Sequence, residues 1–199
     1  MDIISQSGPL PTKASRLPLR SDRKVAERVS VSERFSPLRI AAALAMALCA
    51  LSAHAQIKVG DTFPSLAKAG LDGAGLPATE AKVVFVDFWA SWCGPCKASF
   101  PAYGRIFADY APRGLVVVAV SVDESASAYA AFLRKSAPPF PAFRDQSQAL
   151  VRQVQVPSMP TSYLIGRDGK VRFIHVEFHS GATEKELRTE IDSLLAEKT

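Results

Sequence analysis

KVVFVDFWASWCGPCK, residues 82–97, decides the fold. Its first eight residues are β-branched or aromatic except Lys82 and Asp87. A run that is apolar on both faces is the pattern of a strand buried in the middle of a sheet. Pro95 then opens a helix over residues 95–110, because proline is tolerated in a first turn, where its missing N–H has no intrahelical acceptor. Downstream, LVVVAVSV (115–122) reads as a second buried strand. Residues 125–136 show helical spacing in Tyr129, Phe132 and Leu133, the Pro-rich 137–143 reads as a connector, and 146–154 as a short helix. Strands over 161–165 and 171–178 flank the Asp168-Gly169 turn, a hairpin signal. An amphipathic helix over 183–197 carries Leu187, Ile191, Leu194 and Leu195 on one side. Strand–helix–strand followed by a hairpin and a helix predicts an α/β fold with a central mixed β-sheet flanked by helices.

Upstream lies a segment of different character. Residues 40–53 (IAAALAMALCALSA) are apolar throughout, follow Arg34 and Arg39, and end in Ala53-His54-Ala55 before Gln56. The run is shorter than the roughly 20 residues that span a bilayer core. A basic flank, a short apolar run and a small-x-small site predict a secretory signal peptide over 1–55, cleaved between Ala55 and Gln56, ahead of a domain over 56–199. The polar stretch 1–33 is long for the start of such a leader, so a start codon further downstream is an alternative. An uncleaved leader would instead anchor the chain in the inner membrane. Cys49 follows Leu48, a poor fit to a lipidated cysteine.

Composition narrows the function. The chain has 199 residues, 22% charged and 48% hydrophobic, which excludes a mostly disordered protein. Its net charge of +5 comes mainly from the first 55 residues, where eight Lys/Arg face four acids. The remainder is nearly neutral, so no nucleic-acid partner is expected. Three cysteines are too few for a disulfide-built scaffold, and only Cys93 and Cys96 lie beyond the leader.

Those two cysteines carry the chemistry. At a helix N-terminus, unpaired amides and the helix dipole stabilise an anion and lower a thiol pKa from about 8.5. Cys93 is thus the candidate nucleophile on a substrate disulfide. Cys96, one turn further in, is the candidate resolving thiol. A structural disulfide is disfavoured because so small a loop removes little chain entropy. A zinc site lacks ligands, since only His175 and His179 follow, and no metal is expected. Binding of Cu(I) by the pair, helped by His175 or His179, is the alternative from another functional class.

Residues 86–97 (VDFWASWCGPCK) closely resemble the thioredoxin active-site segment. The opening Val59-Gly60-Asp61-Thr62-Phe63-Pro64 and the run 156–169 (VPSMPTSYLIGRDG) resemble the exported TlpA/ResA-like branch of that superfamily. The likeness covers nearly all of 57–199. It implies a thioredoxin fold with an N-terminal extension and an inserted helix, and a periplasmic thiol–disulfide oxidoreductase whose only cofactor is its redox-active disulfide. Asp87, costly inside an apolar strand unless paired or neutral, matches the buried carboxylate of thioredoxins, which exchanges a proton with the second cysteine. Pro160 matches the cis-proline facing the CxxC pair, with Met159 offering backbone to a substrate strand. Trp92, Gly94 and Pro95 are the remaining candidate substrate contacts, while Trp89 is read as packing.

Three positions depart from that branch. Ser99 stands where many members carry a glutamate, Thr161 follows the proline where cytochrome c maturation proteins often have Glu, and Met159 is bulkier than usual. Gly94-Pro95 is the reductase-like dipeptide. The expected activity is therefore reduction of disulfides in exported proteins, with electrons from a membrane thiol donor. A disulfide oxidase or isomerase on the same scaffold is the alternative.

Overall fold

The computed structural model describes residues 55–197. The leader, its cleavage site at Ala55-Gln56 apart, and Cys49 lie outside them.

Among the described residues five strands and four α-helices follow one another as β1 (Val83–Trp89), α1 (Gly94–Tyr110), β2 (Leu115–Ser121), α2 (Ala126–Ser136), β3 (Ala142–Arg144), α3 (Ala149–Val154), β4 (Thr161–Ile165), β5 (Val171–Val176) and α4 (Gly181–Ala196). The sheet order is β3-β2-β1-β4-β5. β1 pairs in parallel with β2 and β2 with β3, whereas β4 is antiparallel to both β1 and β5. This is the mixed α/β thioredoxin architecture, with β1 in the centre and every residue of it buried. No helix among the described residues is long and apolar enough to cross a membrane.

Strand alternation sorts the core. Phe85, Asp87 and Trp89 share one face of β1, where Phe85 meets Tyr103 and Trp89 meets Phe100, both on α1, at ring-centroid distances of 5.0 and 4.9 Å. Trp89 also packs on Phe132 of α2 at 4.7 Å. Phe88, on the opposite face, meets Tyr163, which in turn packs on Phe63 of the N-terminal extension. Each fully buried aromatic contributes about 1.5–3 kcal/mol by leaving water, so these two clusters clamp the centre of the sheet from both sides. The extension is tied to both edges, by a Thr62–Lys170 bridge beside β5 and an Asp72–Arg144 bridge beside β3.

Several element boundaries differ from the sequence reading. The Pro-rich connector over 137–143 ends in an edge strand, β3: Pro141 lacks an N–H but its carbonyl accepts from Ala119 N–H at 3.0 Å, and an edge tolerates such a residue. The helix read over 146–154 begins only at Ala149, because the buried Asp145 accepts from the amides of Ala149 (3.1 Å) and Val151 (2.9 Å). β5 stops at Val176 rather than 178; Glu177 takes φ +69° and its N–H donates to Pro160 O at 2.8 Å. The last helix starts two residues earlier than read, at Gly181.

Candidate active site

β1 delivers the chain to a short loop that ends at Cys93, the residue capping α1. The loop is pinned from β2. Ser91 donates to the buried Asp123 twice, from its N–H at 2.9 Å and its hydroxyl at 2.8 Å, and Ser121 Oγ donates to the same carboxylate at 2.7 Å. Two residues after this clamp comes Cys93, whose Sγ is bonded to that of Cys96 at 2.03 Å. The Cys96 N–H donates to Cys93 Sγ at 3.2 Å, as a free amide of a helix N-terminus must find an acceptor. In the dithiol state the same amide and the helix dipole would favour a Cys93 thiolate. Cys93 keeps 5% of its surface exposed and Cys96 none. An outside disulfide therefore has access only to the first sulfur.

The clamp has a measurable consequence. Asp123→Ala removes three hydrogen bonds to a charged acceptor, each worth about 1.5–3 kcal/mol in such settings. A net loss of about 2 kcal/mol lowers the melting temperature by roughly 8 °C. Freed from Ser91, Cys93 is also held less firmly on the helix N-terminus, so the pH midpoint of its alkylation in the reduced protein rises. An unchanged melting point and midpoint would deny Asp123 this role.

Asp87 is 1% exposed, on the face of β1 that carries Phe85 and Trp89 against α1, with Ala119 and Ser162 as its neighbours across β2 and β4. Neither carboxylate oxygen has a hydrogen-bond partner among the described residues, and the Ser162 hydroxyl is equally unpaired. Burial holds the Asp87 pKa well above the usual carboxylate range. The Tyr103 hydroxyl pulls it back without closing a hydrogen bond, and Tyr103 is itself raised, by burial first and by the Asp87 charge second. Cys96, Ser99 and Tyr103 are all buried and stand at i, i+3 and i+7 along α1, a spacing that puts them on one helix face. The ring contact of Tyr103 with Phe85 turns that face toward Asp87. Ser99 donates its hydroxyl to Cys96 O at 2.9 Å. Asp87 is thus the one carboxyl group described in this polar layer.

The Met159–Pro160 peptide is cis. Its Met159 carbonyl oxygen lies 3.6 Å from Cys93 Sγ, while Thr161, opposite Phe88 on β1, ties the turn by donating to Ser158 O at 2.8 Å. Pro160 is buried and Met159 half-buried. Gly94 and Pro95 are exposed, and Trp92 leaves 69% of its surface to solvent beside the buried Cys93. Trp89 is fully buried among Phe100, Tyr129 and Phe132, a packing residue. The structure therefore brings Cys93, Cys96, Met159 and Pro160 together, with Asp87 buried on the β1 face that α1 covers.

His175 stands on β5 opposite Ser162, and His179 follows the end of that strand. His175 Nε2 is 2.6 Å from Glu190 Oε2 on α4, and the exposed His179 lies 3.9 Å from Glu177. Among the described residues no three His, Cys, Asp or Glu side chains are grouped as a metal would need. Sequence reasoning missed Ser91, Asp123, Tyr103 and Ser162. Tyr103 left a signal, seven residues after Cys96, whereas Ser162 needs the sheet register.

Comparison with known proteins places this geometry. Residues 58–191 match the Redoxin family. The thiol-disulfide oxidoreductase ResA of Bacillus anthracis is 30% identical over 118 residues, 58% of this chain and 68% of that protein. ResA of Bacillus subtilis is 31% identical over 117 residues, 58% and 65% of the two chains. A crystal structure described as a thiol:disulfide interchange protein DsbE from Chlorobium tepidum superposes with a TM-score of 0.65 at 36% identity, over 71% of this chain and all of that one.

Proposed function

The chain belongs to the Redoxin family, as a ResA-like thiol–disulfide oxidoreductase of the thioredoxin superfamily, and from that premise we propose that it works in the periplasm as a reductant of disulfides in exported proteins. The observation that carries this reading is Cys93 Sγ at the cap of α1, accepting the Cys96 amide, with the reductase-like Gly94-Pro95 between the sulfurs.

In the proposed cycle the Cys93 thiolate attacks one sulfur of a substrate disulfide. The substrate S–S bond breaks, a Cys93–substrate disulfide forms, and the departing thiolate takes a proton from water. Above its raised pKa Asp87 is a carboxylate, and it takes the Cys96 thiol proton as the Cys96 sulfur attacks Cys93 Sγ. The second substrate thiolate leaves, and the protein is left oxidised by two electrons. A membrane dithiol donor returns them, with Asp87 giving its proton back to the Cys96 sulfur. Trp92 and the Met159 backbone are the surfaces offered to the substrate around the attacked bond. The leader would carry the chain out, either cleaved after Ala55 or retained as an inner-membrane anchor.

The direction of electron flow is tested by the reduction potential of the Cys93/Cys96 couple, equilibrated in thiol redox buffers. A value below about −220 mV, in the range of thioredoxin-like reductants, is expected. A value near −120 mV, that of a strong oxidant, would overturn the reductant reading and make the protein a disulfide donor.

A further inference from the structure

A groove of about 530 Å³ runs along α1 on the side facing α2. It begins at Lys97, the residue after Cys96, and follows Pro101, Arg105 and Ala108, at i, i+4, i+8 and i+11. That face is roughly 16 Å long at about 1.5 Å per residue, the reach of about five residues of extended chain at ~3.3 Å each. The floor is apolar, with Phe100 and Phe132 meeting edge to face at 5.2 Å. The rim is basic, with Lys97 near the disulfide and Lys135 across on α2, and no acidic residue lines the groove. Arg105 is engaged by Glu184 on α4. Lys97 and Lys135, in contrast, have no carboxylate partner among the described residues.

We propose that this groove docks an acidic, aromatic-bearing segment of the polypeptide whose disulfide is exchanged at Cys93. The inference rests on the thiol–disulfide reading and extends it to the choice of partner. Charge complementarity selects the occupant: two unpaired ammonium groups flank an apolar floor, so carboxylates on either side of a buried ring satisfy both surfaces at once. The position makes the contact selective. The groove starts in the same helical turn as Cys96, so a segment held there presents adjoining chain to Cys93 and raises its effective concentration.

Two synthetic disulfide peptides, identical except for Glu-Trp-Glu or Lys-Trp-Lys flanking the reacting cysteine, test the proposal against the reduced full-length protein. The acidic peptide is expected to react about tenfold faster at low salt, with the advantage shrinking at about 0.5 M salt as charges are screened. Lys135→Glu should abolish the preference and Lys135→Arg should keep it. A small uncharged disulfide, hydroxyethyl disulfide, should react equally with all three proteins. Equal rates for the two peptides in the wild type, or an acidic preference surviving in Lys135→Glu, would overturn the docking proposal. Failure of the small disulfide to react would instead overturn the thiol–disulfide reading itself.

Discussion

Replacing Cys96 with serine is expected to leave Cys93 covalently joined to its substrate and to reduce turnover to the background of uncatalysed exchange. In the folded chain the two sulfurs are close enough to bond. Attack of Cys96 on a Cys93 mixed disulfide is therefore intramolecular, with the large effective molarity that such proximity gives. Without Cys96 the only escape is a bimolecular encounter with an outside thiol, and Cys93 is nearly covered even before a substrate sits on it. Cys93→Ser should be equally inactive yet capture almost nothing, because Cys96 has no exposed surface from which to start. Non-reducing electrophoresis and mass spectrometry of each variant after mixing with a disulfide-containing protein reads the outcome. Capture by Cys93→Ser instead of Cys96→Ser would assign the nucleophile to the second cysteine.

Asp87→Asn has the second largest expected effect, and it acts on one half-reaction. Asparagine keeps the shape but accepts no proton, so resolution of the mixed disulfide should slow by about 10²-fold or more, the scale of a positioned general base, while its formation changes little. The same substitution should stabilise the protein. Because burial raises the Asp87 pKa in the folded state, the native protein holds a proton that the unfolded chain releases above the ordinary carboxylate range near 3.9. Stability therefore falls as pH rises from there through the folded-state pKa. Asp87→Asn escapes that loss, so its melting temperature should exceed the wild type's by about 4 °C or more at pH 8, equivalent to about 1 kcal/mol, with the gain vanishing toward pH 4. Single-turnover kinetics separates the two half-reactions, and melting curves across pH follow the linkage. Equal slowing of both steps together with a pH-independent melting difference would remove Asp87 from the proton path.

The fold and the reacting pair were legible because both are written locally. KVVFVDFW announces a central strand by its lack of a polar face, and β1 is buried along its whole length. Pro95 and the helical run after it place two sulfurs at a helix N-terminus, where the Cys96 amide meets Cys93 Sγ. The acid in that strand is visible by the same logic, since an ionisable residue in an apolar run stands out. Less legible were segments whose conformation depends on distant partners. β3 exists because Ala119 reaches the carbonyl of Pro141 from the neighbouring strand. The late start of α3 depends on the buried carboxylate of Asp145, whose side chain occupies the first amides of that turn.

What the sequence by itself determined is the order of elements apart from β3, the strand–helix junction and the chemistry of Cys93 and Cys96, because periodicity and helix-end preferences act between neighbours in the chain. Only the tertiary structure decided what surrounds the sulfurs. Ser91 meets Asp123 across 32 positions and Cys93 approaches Met159 across 66, while Asp87 acquires Ser162 as its neighbour through the register of β1 on β4. The groove likewise arises where two helices, each amphipathic for its own reasons, lie side by side. Such contacts join residues far apart in the chain, and it is the pairing of strands and the burial of shared aromatic faces that bring them together.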